Sequence, residues 1–339
     1  MGDWEEVPVI DISGIRDSEA ARERIAKEVH TACKDVGFFY VINHGVSEEL
    51  QDRLESVSKL FFGQPMEQKM EIDMKQAGMA WRGFFPVGGE LTSGRIDRKE
   101  GIYFGIEHPS DHEKVLTNVP MHGKNQWPQD PKEMEEIVSE YITELTELGH
   151  LLMTTTAMGL QLPSDYFRKR FTDSPTVLFR IFNYPEHNFS DGDDEWGVRQ
   201  HTDMGFLTIL KQDDSGGLEV KNKVGQWIEA PPIPNSFVVN IGDMLEFWTH
   251  GIYKATLHRV KNKAKHDRLS FPLFFDPNWD ASLCPIDKTL LPIADTALSS
   301  SSDRWDQLDL ATIGGKTYGS FVWEKISKVF PDLALKSKQ

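Results

Sequence analysis

Five side chains carry most of the chemistry in this sequence. His201-Thr202-Asp203 places an imidazole two residues before a carboxylate, and a second imidazole, His258, follows 258 − 203 = 55 residues later in Ala255-Thr-Leu-His-Arg-Val260. Two neutral imidazoles and one carboxylate suit a divalent first-row metal held on one face. The other face stays open, the ligand set of non-haem Fe(II) oxygen chemistry. No thiolate accompanies them, which argues against a structural zinc site. Arg268-Leu269-Ser270 adds a guanidinium and a hydroxyl, a ready anchor for a carboxylate. His-x-Asp is common by chance, and Asp203 would equally serve to orient His201 in a hydrolytic triad with a serine. The chain, however, contains no Gly-x-Ser-x-Gly elbow.

The elements that must position these groups can be read from periodicity. Val198–Leu210 is rich in β-formers and reads as one strand, on which His201 and Asp203 point the same way. Val7–Ile12 and Phe38–Ile42 read as strands. Ser18–Val36 reads as a helix, with Ala21, Ile25, Val29 and Cys33 four apart and a stop at Gly37. Glu48–Phe62, Lys132–Leu160 and Tyr318–Val329 are further amphipathic helices, while Gly63–Pro128 looks irregular and Ala297–Asp303 a Ser-rich loop. Beyond Pro175 the period falls to two. Strands are expected at Val177–Tyr184, His201–Lys211, Leu218–Lys221, Trp227–Ala230, Ser236–Ile241, Met244–Thr249, Ala255–Val260 and Ser270–Phe275. Eight short strands with tight turns predict a mainly β sandwich or jelly roll with peripheral helices. The stripe on the long helix needs a sheet face, so one catalytic unit over 1–339 is expected.

The chain has 339 residues and a net charge of −16, from 37 basic and 53 acidic residues. That balance disfavours a nucleic-acid or anionic-membrane partner. Lys261-Asn-Lys-Ala-Lys265 reads as a solvated turn. Two cysteines, Cys33 and Cys284, imply no disulfide scaffold and fit a reducing compartment. The start Met-Gly-Asp-Trp-Glu-Glu resembles neither a signal peptide nor, with Glu6 at the sixth position, a myristoylation site. No apolar run is long enough to cross a membrane. A cytoplasmic protein is the expectation.

The ordered motifs resemble the 2-oxoglutarate/Fe(II)-dependent oxygenases of the isopenicillin N synthase-like family, which includes plant flavonoid and gibberellin dioxygenases. The match runs through Val7-Pro-Val-Ile-Asp-Ile12, Gly37-Phe-Phe-Tyr-Val-Ile-Asn-His-Gly-Val46, His201–Leu210, Gly216-Gly-Leu-Glu-Val220, Trp227, Phe237-Val-Val-Asn-Ile-Gly-Asp243, Tyr253-Lys254 and Leu257–Val260. The resemblance implies a distorted double-stranded β-helix core at 175–280. An N-terminal oxygenase region at 1–125 would precede it, and a C-terminal loop and closing helix at 281–339 would follow. It also implies iron on His201, Asp203 and His258, and 2-oxoglutarate on Arg268, Ser270 and Tyr184. The reaction would consume O2, release succinate and CO2, and oxidise a C–H bond of a small molecule, with ascorbate as a reductant and a monomer as the expected state. Many plant relatives carry Asn where this chain has Phe182. Either one contact to 2-oxoglutarate is missing or Asn183 replaces it, although alternation turns Asn183 away. His44 and His250 match no ligand position.

The substrate is expected at the barrel mouth. Alternation puts Arg180 and Phe182 on the face of Tyr184, where Arg180 would meet a substrate anion or a structural carboxylate. Trp81–Phe104 aligns with the pocket-covering region of relatives, which nominates Arg82, Phe84 and Tyr103. Gly83, Gly88, Gly89 and Gly94 would make that segment a mobile lid. Phe206 and Phe275 are candidate walls. Two relatives, isopenicillin N synthase and the oxidase that makes ethylene from a cyclopropane amino acid, keep Arg-x-Ser without using 2-oxoglutarate. An Fe(II) oxidase of that type therefore stays open, as does a non-catalytic sensor on the same fold. The substrate itself cannot be read from the sequence.

Overall fold

The computed structural model describes residues 4–92, 95–186, 196–292 and 315–329. β1 (Val9–Asp11) and β2 (Phe38–Ile42) pair in parallel, joined by α1 (Glu19–Asp35). Ser18 starts the helix, its Oγ accepting from the Ala21 amide at 3.2 Å. Ser47 starts α2 (Glu48–Phe62) in the same way. The short α3 (Met66–Lys69) leads into β3 (Gly83–Phe85), the β4 (Leu91–Thr92) and β5 (Arg95–Ile96) ribbon, and β6 (Glu100–Gly105). α4 (Glu113–Leu116), the long α5 (Met134–Gly159) and α6 (Tyr166–Arg170) follow. α5 buries Ile137, Tyr141, Leu145, Leu148 and Leu152 at helical spacing, against α1, α2 and the outside of the sheet.

The second half of the chain runs through β7 (Pro175–Tyr184), β8 (Val198–His201), β9 (Leu207–Gln212), β10 (Leu218–Lys221), β11 (Trp227–Glu229) and β12 (Ser236–Ile241). α7 (Asp243–Trp248), β13 (His258–Val260), β14 (Arg268–Asn278) and the closing α8 (Tyr318–Val329) complete it. Two sheets face each other in a jelly-roll core. The larger has the order β1-β2-β12-β9-β14-β7-β6-β3 and the smaller β11-β10-β13-β8. Among the described residues no helix is long and apolar enough to cross a membrane.

Several expectations need correction. The stretch Val198–Leu210 is not one strand. β8 ends at His201 in the small sheet and β9 begins at Leu207 in the large one, so residues 202–206 cross between sheets. The crossing is stitched to the start of α7: Asp243 N donates to Asp203 O at 2.8 Å and Gly242 N to Phe206 O at 3.0 Å. Met244–Thr249 is helical rather than extended. All six residues of α7 are buried, Asp243 and Glu246 included, and so short a run buried on every side carries no period that tells helix from strand.

The segment expected to form a mobile lid contains β3 and β6, two strands of the large sheet with every residue buried. Gly83 serves close packing there, since a Cβ would collide with the Ile72 carbonyl oxygen. Gly94 and Ala297–Asp303 lie outside the described residues.

Candidate metal and co-substrate site

β8 and β13 pair so that His201 stands directly opposite His258, with ring centroids 4.2 Å apart. Asp203 reaches them from the crossing loop. Its Oδ1 lies 3.6 Å from His201 Nε2 and 3.7 Å from His258 Nε2. One donor atom from each of the three residues falls within 4.8 Å of the others. Each imidazole has its Nδ1 against a carbonyl, His201 at 2.7 Å from Arg199 O and His258 at 3.2 Å from Thr256 O. A carbonyl only accepts, so Nδ1 carries the proton and the Nε2 lone pair faces Asp203. On the far side of the carboxylate, Oδ2 accepts from Asn240 Nδ2 at 2.7 Å and from Thr208 Oγ1 at 2.5 Å. Oδ1 is thereby left for the imidazoles.

Electrostatics suit the same purpose. Burial, and then the neighbouring His258, push the His201 imidazole well below its ordinary pKa, so it stays neutral. Burial opposes ionisation of Asp203, but His258, His201, Asn240 and Thr208 together hold its carboxyl below the usual range. Two imidazole nitrogens and an anionic oxygen converging on one point fit a divalent cation.

The carboxylate anchor is built on the paired β7 and β14. Arg268 is fully buried, and its Nε donates to Gly216 O at 2.6 Å. Its Nη2 reaches Gln212 Oε1 at 3.5 Å, whereas its buried Nη1 has no hydrogen-bond partner among the described residues. A buried guanidinium N–H left unsatisfied is costly and fits an anionic ligand. Ser270 lines a cavity together with His201, Asp203, His258 and Tyr184. Tyr184 stands opposite Arg268 in register, the guanidinium 4.9 Å from its ring centre. Phe182 stands opposite Ser270 and also lines the cavity. Asn183 points the other way, donating to Glu100 Oε1 and Asp267 Oδ2.

The cavity continues past the metal ligands. There β7 and β14 present Leu178, Arg180, Phe274 and Asp276, and α8 presents Tyr318 and Val322. Tyr103 lines it too, its hydroxyl donating to Glu90 Oε1 at 2.6 Å. Four expected pocket residues lie elsewhere. The Arg82 guanidinium is buried against the Met121 and Phe104 carbonyls, and Phe84 packs on Phe61 in the core. Phe206 packs on Phe167 and Trp248. Phe275 faces α5, where a Cβ on Gly149 would collide with its ring; the neighbouring Phe274 faces the cavity instead.

Sequence reasoning missed Thr208, Asn240, Glu90, Lys99, Asp276 and Tyr318. Asn240 stood inside a quoted motif, and Asp276 shares the face of Ser270 six residues on. Alternation along β12 and β14 was the available signal for both.

Two family models match this chain: the N-terminal region of non-haem dioxygenases in morphine synthesis at residues 7–130, and the 2OG-Fe(II) oxygenase superfamily at residues 172–277. A probable iron/ascorbate oxidoreductase from Dictyostelium discoideum is 46% identical, covering 97% of this chain and 96% of its own. A 1-aminocyclopropane-1-carboxylate oxidase from Dictyostelium mucoroides is 39% identical, covering 98% of each. A full-length Neurospora crassa protein, crystallised in complex with alpha-KG and thymine, superposes with a TM-score of 0.74 at 26% identity, over 87% of this chain and 94% of that one. Extent, identity and fold agree, and the chain belongs to the 2-oxoglutarate/Fe(II)-dependent oxygenases.

Proposed function

We propose that His201, Asp203 and His258 hold Fe(II), and that Arg268, Ser270 and Tyr184 hold 2-oxoglutarate. The enzyme then oxidises a C–H bond of a small molecule in the cavity beyond. The metal, with 2-oxoglutarate and O2, supplies the oxidant, succinate and CO2 are released, and ascorbate serves as reductant. The chain's part is placement. Asn240 and Thr208 fix the rotation of Asp203, while Arg199 O and Thr256 O fix the two imidazole tautomers. The walls of β7 and β14 keep water from a reactive centre. Tyr103 on β6 and Val322 on α8 line one cavity, which supports a single catalytic unit from 1 to 339.

The observation that carries the assignment is the convergence of three ligand atoms within 4.8 Å in a cavity shared with Ser270 and walled by Tyr184, next to a buried guanidinium with an unused N–H. Calorimetric titration with Mn(II), then 2-oxoglutarate, tests it. Each should bind once, and His258→Ala should abolish metal binding. Succinate release across a metabolite collection then identifies substrates. Oxidation of a substrate without succinate would assign Arg268 and Ser270 to another carboxylate, and no metal binding would refute the site.

A further inference from the structure

Arg180 lies in the middle of β7, facing the cavity, with Tyr103 of β6 beside it in register. Its guanidinium lies over two aromatic rings, 4.3 Å from the Tyr103 ring centre and 4.7 Å from that of Phe274. The rings hold its position and leave its N–H groups to bind. Those groups are poorly served. The guanidinium's one ionic contact among the described residues is Glu90 Oε1 at 3.5 Å, and its Nε is buried without a partner.

Glu90 finds its short contacts elsewhere. Its Oε1 already accepts from the Tyr103 hydroxyl at 2.6 Å, and its Oε2 sits 3.0 Å from Lys99 Nζ. Lys99 in turn contacts Asp97 at 2.5 Å. Lys99 and Tyr103 make the short contacts to Glu90, Arg180 makes no hydrogen bond to it, and the planar fork of donors lines the cavity. A fork of this kind matches the two oxygens of a carboxylate. Met121, Leu178, Phe274, Val322 and Ile326 supply the apolar part of the surrounding wall, and Asp276, Tyr318 and Lys325 line the same cavity.

We infer that this enzyme's substrate carries a carboxylate on a compact apolar body, and that Arg180 is its anchor. The inference rests on the metal and 2-oxoglutarate assignment above. Arg180 is not a second clamp on the co-substrate carboxylate. It precedes Tyr184, the partner of Arg268, by four positions on β7, which is about 13 Å along a strand. The carboxylate would hold one end of the substrate and so decide which C–H bond faces the metal ligands, making Arg180 a positioning and specificity residue.

The test is calorimetry on the full chain loaded with Mn(II) and saturating 2-oxoglutarate, using matched probes: hexanoate with hexanamide, and phenylacetate with phenylacetamide. The acids should bind roughly 10- to 100-fold more tightly than their amides. Arg180→Gln should erase that preference while changing 2-oxoglutarate affinity less than about twofold. Arg180→Lys keeps the charge beside Glu90 and guards against a folding defect; it should retain an intermediate preference because the fork is lost.

Equal binding of acids and amides, or no binding of any probe, overturns the inference. So does an Arg180→Gln variant that loses 2-oxoglutarate as much as it loses the acids, since Arg180 would then serve the co-substrate. Failure of the unmodified chain to bind Mn(II) and 2-oxoglutarate would instead overturn the site assignment, and this inference with it.

Discussion

Asn240→Ala should weaken metal binding without touching a metal ligand. Asn240 and Thr208 both donate to Oδ2 of Asp203, and they are what turns Oδ1 toward the imidazoles. A hydrogen bond to a buried charge contributes about 1.5–3 kcal/mol, and loss of a partner behind a metal ligand costs about 10–100-fold in affinity. The expected Mn(II) Kd for Asn240→Ala is therefore roughly 10-fold higher, with a similar effect for Thr208→Val. In the double variant the second loss should exceed the first, because it leaves the buried oxygen with no donor. The pH dependence carries the sign. Protons compete with metal for Asp203, whose carboxyl these two donors help to hold low. Without them the acid limb of metal binding should move to higher pH. Mn(II) calorimetry between pH 5 and 8, beside a thermal melt to separate folding from binding, reads both effects. A Kd within twofold of the original and an unmoved acid limb would refute the argument.

Two further substitutions probe the neighbouring shells. Arg268→Lys keeps the charge but loses the planar fork, so 2-oxoglutarate should bind about tenfold more weakly while Mn(II) affinity is unchanged; an equal loss of both would sink the assignment. Asp276 is buried, which raises its carboxyl to about 7 from the ordinary 3.8, against the opposing bonds from the Tyr318 hydroxyl and the Phe206 amide. Below pH 4 it is protonated in folded and unfolded chain alike. Between about 4 and 7 only the unfolded chain releases the proton, so the stability contribution is lost as pH rises through that window. Asp276→Asn should gain stability relative to the parent between pH 5 and 7, by an amount on the order of a few kcal/mol, and parallel melting curves across that range would contradict it.

Much of the frame was legible because it is periodic. α1 and α2 announce themselves by apolar spacing and a serine cap, and the ligand trio by residue type. The losses have physical causes. α7 is buried all round, so its sequence has no amphipathic signal. Phe275 and Phe274 differ by one position, and one position on a strand is the difference between helix-facing and cavity-facing. Alignment with the pocket-covering region of relatives nominates Arg82 and Phe84 along with Tyr103, but only the pairing of β3 with β6 decides that Tyr103 alone of the three faces the cavity. Asn240 lies 37 residues from the aspartate it orients, a contact created by the antiparallel pairing of β12 with β9. The expectation for His201 and Asp203 is instructive. They do converge, though not by alternation along one strand.

That difference has a consequence for stability. His201 and His258 belong to the small sheet, whereas Asp203 is held through Oδ2 by Thr208 of β9 and Asn240 of β12, both in the large one. A cation shared by the three side chains ties the two sheets together. Binding only to the folded chain stabilises it by mass action, about 2.7 kcal/mol at a hundredfold excess over Kd. The sheet-spanning arrangement adds a spatial signature. Mn(II) should raise amide-exchange protection in β8 and β13 and also in β9 and β12, and EDTA should reverse both together. In Asn240→Ala the protection of β9 and β12 should respond less than that of β8 and β13. Protection confined to β8 and β13 in the unmodified chain would show that the metal site is a property of the small sheet alone, and that the crossing loop merely delivers the aspartate.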